Sequence, residues 1–227
     1  MTSLGQLRPA QNGASIEARN LSLETPLGVP FRNLNLSIPP GSYVAVTGNH
    51  GSGKTPFLLT LAGRMKPTGG TLFVGGLQLP QNHRKVARKA GMALFSGLND
   101  IEWNLTCRLI MKAELEIWGK PHRNSDVEAY LRAWDLEEII DKKVKKLTQL
   151  DYDRFGIALA MVNDPDLLVV DDIERQLDAH DSRRIADELR KIAHEKGKTV
   201  IVAVTEPASA GDSDFTIELE WSEEDGI

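Results

Sequence analysis

Eight consecutive residues, Gly48-Asn49-His50-Gly51-Ser52-Gly53-Lys54-Thr55, satisfy the phosphate-binding pattern G-x-x-x-x-G-K-[ST] in full. The residue types explain the chemistry. Gly48, Gly51 and Gly53 permit backbone angles and close approaches that a Cβ forbids, so successive N–H groups can face phosphate oxygens. Lys54 offers a point charge for the outer phosphates, and the Thr55 hydroxyl suits a magnesium ion. His50 lies inside the loop, within reach of a nucleotide. The bland alternative is a Gly-rich turn that merely joins a strand to a helix, but the complete motif predicts a nucleoside-triphosphate pocket. Pro56 is an oddity: in a first helical turn it is sterically tolerable, yet it has no N–H for a phosphate. It also biases Thr55 away from helical angles.

The flanking sequence supplies the elements that this loop needs. Tyr43-Val44-Ala45-Val46-Thr47 reads as a buried strand, and Phe57-Leu58-Leu59-Thr60-Leu61-Ala62 as the helix whose positive end meets the anion. Upstream, Ile16–Leu23 and Leu34–Ile38 alternate apolar with polar, as half-buried antiparallel strands do. Pro39-Pro40-Gly41 turns the chain between them and the loop strand. Thr71 to Gly76 reads as a further strand and turn, and residues 1–14 as a flexible N-terminus. From about Trp103 to Lys146 the pattern becomes helical and charged, and Tyr152 to Val162 continues it, which predicts a helical subdomain at about 98–162 within one domain spanning 15–227. Leu167-Leu168-Val169-Val170-Asp171 reads as a central parallel strand with a carboxylate at its C-terminal edge. A basic amphipathic helix at 182–196 and a strand at Thr199–Val204 follow. Alternating strands and helices behind such a loop predict an α/β fold with a parallel sheet.

Composition narrows the functional classes. The 227 residues carry a net charge of −5, which argues against a general nucleic-acid-binding surface. A single cysteine, Cys107, excludes a disulfide framework and reads as a small apolar filler rather than a nucleophile. No apolar run approaches the roughly 18 residues of a membrane span, and no signal-peptide pattern opens the chain. His83, His122, His180 and His194 lack metal-ligand spacing. The Lys142–Lys146 run reads as a solvated helix end, with a phosphate or lipid-headgroup patch as the alternative.

The order of these pieces resembles the ATP-binding subunit of ABC transporters over nearly the whole chain. Beyond the phosphate loop the resemblance rests on Leu147-Thr148-Gln149-Leu150-Asp151, on Asn163-Asp164-Pro165 through Asp171-Asp172, and on Leu177-Asp178, at the family's spacing. It implies a P-loop NTPase fold: a RecA-like parallel sheet with a small antiparallel β subdomain and a helical subdomain. It further implies Mg2+ and ATP as ligands, with Thr55 holding the ion directly and Asp171 through water. A membrane-spanning transporter subunit and a second ATP-binding subunit, packed head to tail, are the implied partners. The implied location is cytoplasmic, peripheral to the inner face of the membrane.

Position by position, the resemblance fails in the hydrolytic set. The family signature L-S-G-G-Q becomes Leu147-Thr148-Gln149-Leu150-Asp151, where a branched side chain at 150 is expected to obstruct the partner's γ-phosphate. The catalytic glutamate is replaced by Asp172, one methylene shorter, and a displacement of about an ångström can cost around 100-fold. The switch histidine aligns with Glu206, an anion expected near the polyphosphate. The glutamine that reports on magnesium aligns with Phe95 or a neighbour, and the adenine-stacking aromatic expected near Glu24-Thr25 is absent. These changes imply an ATP-binding subunit with weak or absent hydrolysis, in which a heterodimer is favoured over self-association. The competing readings are an active transport ATPase using Asp172, and a soluble pseudo-ATPase that acts as a regulator or scaffold. Trp103, Trp118 and Trp134 read as core, or in part as the apolar face that receives the membrane subunit.

Overall fold

The computed structural model describes residues 12–219. The chain begins with strands β1 (Ile16–Thr25) and β2 (Gly28–Ile38), then β3 (Tyr43–Thr47) and helix α1 (Lys54–Leu61). Strands β4 (Gly69–Val74) and β5 (Leu77–Leu79), helix α2 (His83–Lys89) and strand β6 (Ala90–Ala93) follow. Helices α3 (Cys107–Ile117), α4 (Asn124–Arg132) and α5 (Gln149–Ala160) precede β7 (Leu167–Val170), α6 (Ala179–Lys196), β8 (Thr199–Val204) and β9 (Phe215–Glu218).

Two sheets form. One is antiparallel in the order β2-β1-β4-β5; the other has the order β6-β7-β8-β3-β9, and every pairing in it is parallel. The parallel strands are apolar on both faces because both are covered. Their side chains alternate between two cores with the period of two that a strand imposes. Val44, Val46, Leu167, Val169, Ile201 and Ala203 face α1 and the antiparallel sheet. Tyr43, Ala45, Leu168, Val170, Val200 and Val202 face Ile185, Leu189 and Ile192 of α6.

A third cluster, from Ile101 to Val162, joins α3, α4 and α5 through Met111, Leu115, Val127, Leu131 and Phe155. Arg108 braces it with a two-pronged bond to Asp141 (2.7 and 3.0 Å) and a third bond to Glu128 (2.7 Å). Cys107 belongs to this cluster, and burial pushes its thiol up to about 12, which leaves it inert.

Helix α1 is locked by packing rather than by amphipathic pattern, since Phe57, Leu58, Thr60 and Leu61 are all buried. Phe57 meets Phe31 edge-on at 5.5 Å. Its truncation to alanine is worth about 3–5 kcal/mol at such a site. The position of the phosphate loop therefore rests on a contact with the β1–β2 layer.

Of the N-terminus expected to be flexible, residues 1–11 lie outside the described residues, but Ala14 is already built into the fold. It is 4% exposed, its N–H donates to Asp166 O (2.9 Å), and its carbonyl accepts from Thr199 Oγ1 (2.7 Å).

Candidate functional site

Strand β3 delivers the chain to the C-terminal edge of the parallel sheet, where it turns into the loop Gly48–Gly53 and then into α1. Gly53 caps the helix at φ 90° with no side-chain acceptor, so no side chain of its own competes for the first amides of α1. Any Cβ at Gly53 would run into Pro30 O, and one at Gly48 into Leu219 O and Ser52 Oγ. Gly51, at φ 83°, faces open space. Asn49 and His50 are exposed, whereas Ser52 is buried and its Oγ has no hydrogen-bond partner. A buried polar atom without a partner, set in a ring of glycines below a helix N-terminus, fits a phosphate ligand.

Strand β7 ends beside this loop. Asp171, buried, accepts a 2.6 Å hydrogen bond from Thr55 Oγ1 across 116 positions of sequence. Thr55 stands inside α1, and Phe57 N–H donates to Gly53 O (2.9 Å). The expected displacement of Thr55 by Pro56 does not occur: the proline sits in the first turn, where an N–H has no intrahelical partner. Its carbonyl accepts from Thr60 Oγ1 (2.8 Å).

Lys54 Nζ donates to the carbonyls of Gly48 and Asn49, the latter at 2.9 Å. Burial lowers its pKa, opposed by the nearby Asp171, Asp172 and Glu174. Burial also raises that of Asp171; the Thr55 hydrogen bond and the charges of Lys54 and Arg175 pull it down, while Asp172 pushes it up. Such a carboxylate gains from a divalent cation, and Thr55 Oγ1 and Asp171 Oδ2 are the oxygens that suit magnesium.

The loop lines a cavity of about 980 Å3, whose far wall is the β1–β2 turn from Thr25 to Pro30. In place of an aromatic ring this wall carries Pro26, Leu27 and Val29, with Leu27 fully exposed. The remaining wall comprises Met65, Leu94, Ser96, Asp171, Asp172, Arg175 and Thr205. Asp172 holds a left-handed φ of 47°, a conformation aspartate tolerates.

Three expectations need correction here. Phe95 is 1% exposed and packs in the core beneath the sheet; its neighbours Leu94 and Ser96 are the ones that reach the cavity. Glu206 is exposed and does not line the cavity, because the segment's amides are drawn to Glu174: Thr205 N–H donates to Glu174 Oε2 (2.6 Å) and Glu206 N–H to Oε1 (3.0 Å). Leu150 is half-buried and packs against the core shared with α6 rather than standing wholly clear of the helix. Gln149 is likewise engaged internally, donating to Asp153 Oδ1 (2.8 Å).

Beside the phosphate cavity lies a cleft of about 1140 Å3 between the sheet edge and α3 and α5. Leu98 and Trp103 are each 61% exposed there, with Leu105 and Leu109 also open. Trp118 lines this cleft and donates to Glu114 Oε1 (2.8 Å), whereas Trp134 is half-buried, packed against the core and under Lys196 Nζ at 4.3 Å. The sequence reading also missed a grouping of Asp178, His180 and Asp181, whose ligating atoms lie within 4.8 Å. Asp178 Oδ1 is spent there as the cap of α6, accepting from His180 N–H (2.9 Å) and Asp181 N–H (2.8 Å).

A parallel sheet, a complete phosphate loop leaving one strand, and an acid at the end of another bonded to that loop define a P-loop nucleotide-binding α/β domain. A family model described as ABC transporter matches residues 31–174, more than half the chain. The chain belongs to the ABC transporter family. It is 30% identical over 192 residues to the phosphonates import ATP-binding protein PhnC 1 of Rhodopseudomonas palustris, covering 79% of this chain and 69% of that one. It is 28% identical over 198 residues to PhnC 2 of a Synechococcus species, covering 82% and 74%. The fold is that of the ATP-binding cassette MJ0796, seen as a dimer with ADP and Pi, at a TM-score of 0.76 and 24% identity over 92% of this chain and 97% of that one. Among the described residues, no helix is long and apolar enough to cross a membrane.

Proposed function

We propose that this chain binds Mg-ATP as the ATP-binding subunit of a transporter, hydrolyses it slowly if at all, and docks on a separate membrane-spanning subunit. The observation that carries the reading is the 2.6 Å bond from Thr55 Oγ1 to Asp171 Oδ2 at the lip of the intact loop. Those two oxygens suit magnesium, which would neutralise charge between the outer phosphates. Lys54 exchanges its bonds to loop carbonyls for bonds to phosphate, and Ser52 Oγ gains a partner. The base rests against Pro26, Leu27 and Val29, an apolar wall that offers contact area without ring stacking.

Slow hydrolysis follows from Asp172, whose shorter carboxylate is, among the described residues, the one acid beside Asp171 on the cavity wall. The exposed cleft around Trp103, Leu98 and Leu105 favours a transport role over a free-standing regulator, since a contiguous apolar surface calls for a partner. A heterodimer is favoured because the start of α5 is poorly suited to another chain's phosphate. Thr148 Oγ1 is occupied with Asp151 N–H (3.1 Å), and Asp151 places an acid in the first turn. Calorimetric titration with ATP, with and without magnesium, tests the reading: saturable binding strengthened by the ion is expected, and no binding in either condition would contradict it.

A further inference from the structure

Between Asp172 and Leu177 the chain reads Ile173-Glu174-Arg175-Gln176, and of its two charged side chains Arg175 meets the phosphate cavity. Arg175 lines both the phosphate cavity and the neighbouring cleft. Among the described residues its guanidinium takes part in no hydrogen bond or ion pair, unlike that of Arg108 or Arg154. Its backbone is nonetheless fixed on both sides. Ile173 is fully buried, and Glu174 grips the amides of Thr205 (2.6 Å) and Glu206 (3.0 Å), tying this segment to the one after β8. Arg175 N–H donates to Asp172 O (3.2 Å). An anchored backbone thus presents an unpaired guanidinium beside Asp171, Asp172 and Thr205, on the same cavity wall. A guanidinium recognises phosphate oxygens in pairs, and a free one at the rim of a phosphate site is matched to that ligand.

We propose that Arg175 binds the terminal phosphate of a nucleoside triphosphate held by this chain's own phosphate loop, and so makes the site favour triphosphate over diphosphate. It supplies from within the chain the donor that position 206 does not provide, and Glu174 is the positioning residue that keeps its segment against the cavity. The inference rests on the reading that the loop binds ATP.

The test is calorimetric titration, in magnesium, of the unaltered protein and of Arg175→Gln, Arg175→Lys and Lys54→Ala, with a non-hydrolysable ATP analogue and with ADP. Arg175→Gln is expected to weaken the analogue by about 10- to 100-fold, as loss of a charge-assisted bond does, while ADP changes by less than about twofold. Arg175→Lys should recover part of the loss, and Lys54→Ala should weaken both nucleotides. Equal weakening of both nucleotides by Arg175→Gln, or no change in either, would overturn the assignment and leave the phosphate loop standing. An unaltered protein that binds neither nucleotide would overturn the loop reading itself, and this inference with it. Arg175 is exposed, so the melting temperature of the glutamine variant should match that of the unaltered protein.

Discussion

The phosphate loop and the start of α5 are the two places where family members grip a triphosphate, and in this chain they have fared differently. At the loop every glycine is retained, and the geometry shows why: Gly48 and Gly53 have left-handed or extended positive φ values and no room for a Cβ. Their constraint lies within the chain, so substitution would disturb the fold as well as the ligand. At α5 the positions that resemble the two signature glycines carry Gln149 and Leu150 at an ordinary helix start, both half-buried, one bonded to Asp153 and the other packed against the core under α6. Nothing in the fold requires glycine there. The loop keeps glycines that its own backbone requires, and the start of α5 carries side chains that an ordinary helix accommodates.

The largest expected effect tests the retained half. Lys54→Ala removes the one loop cation and should weaken ATP by about 10- to 150-fold by calorimetry, since a hydrogen bond to a charged group contributes about 1.5–3 kcal/mol. An unchanged affinity would mean that the nucleotide sits elsewhere. The altered hydrolytic set comes next. Asp172→Glu should raise magnesium-dependent turnover by up to about 100-fold by restoring the reach of the carboxylate. Glu206→His should change little, alone or added to Asp172→Glu, because residue 206 does not line the cavity. Turnover unmoved by both changes would place the defect at α5 instead.

A third effect sharpens the account of that refilled helix start. Asp153 is 4% exposed, and burial raises its carboxyl to about 7 despite the bond from Gln149. The folded chain then holds more protons than the unfolded one between about pH 4 and pH 7, so this group makes stability fall as pH rises through that window. Asp153→Asn should remove a slope of up to about 1.4 kcal/mol per pH unit, seen by comparing denaturant midpoints of both proteins across the range. Parallel pH profiles would show that the carboxyl is ionised throughout. The smallest effect concerns Pro56. Pro56→Thr returns one N–H to the first turn of α1 and should tighten ATP by at most about tenfold. A neutral result would fit the observation that Thr55 is already helical with the proline present.

The parts legible in the sequence were those specified locally. The phosphate loop, β3, β7 with Asp171, and the amphipathic face of α6 each declare themselves through spacing or periodicity. Strand β9 does not, for Phe215–Glu218 is a mostly exposed edge strand whose alternation spans only four residues, and it is held by its register against Val44 to Thr47. Strand β6, Ala90–Ala93, is built of residues with little strand preference and is held by β7. Helix α2 is short and basic, with only Val86 buried. In the site, the family pattern put the reporter position at Phe95 or a neighbour, but the backbone turns left-handed at Leu94 (φ 65°) just past β6, and there Phe95 is buried while Leu94 and Ser96 reach the cavity. Arg175 and Glu174 carried a signal that went unused: two charges in a stretch that otherwise joins a buried strand to a helix.

The account's central claim is that this chain holds ATP without consuming it, and recovery of the bound nucleotide tests that most directly. The purified protein, incubated with magnesium and ATP and then freed of unbound ligand, should yield its bound nucleotide as intact ATP over many minutes. Recovery of mainly ADP, with phosphate released in step, would contradict the claim and make Asp172 a competent catalytic acid.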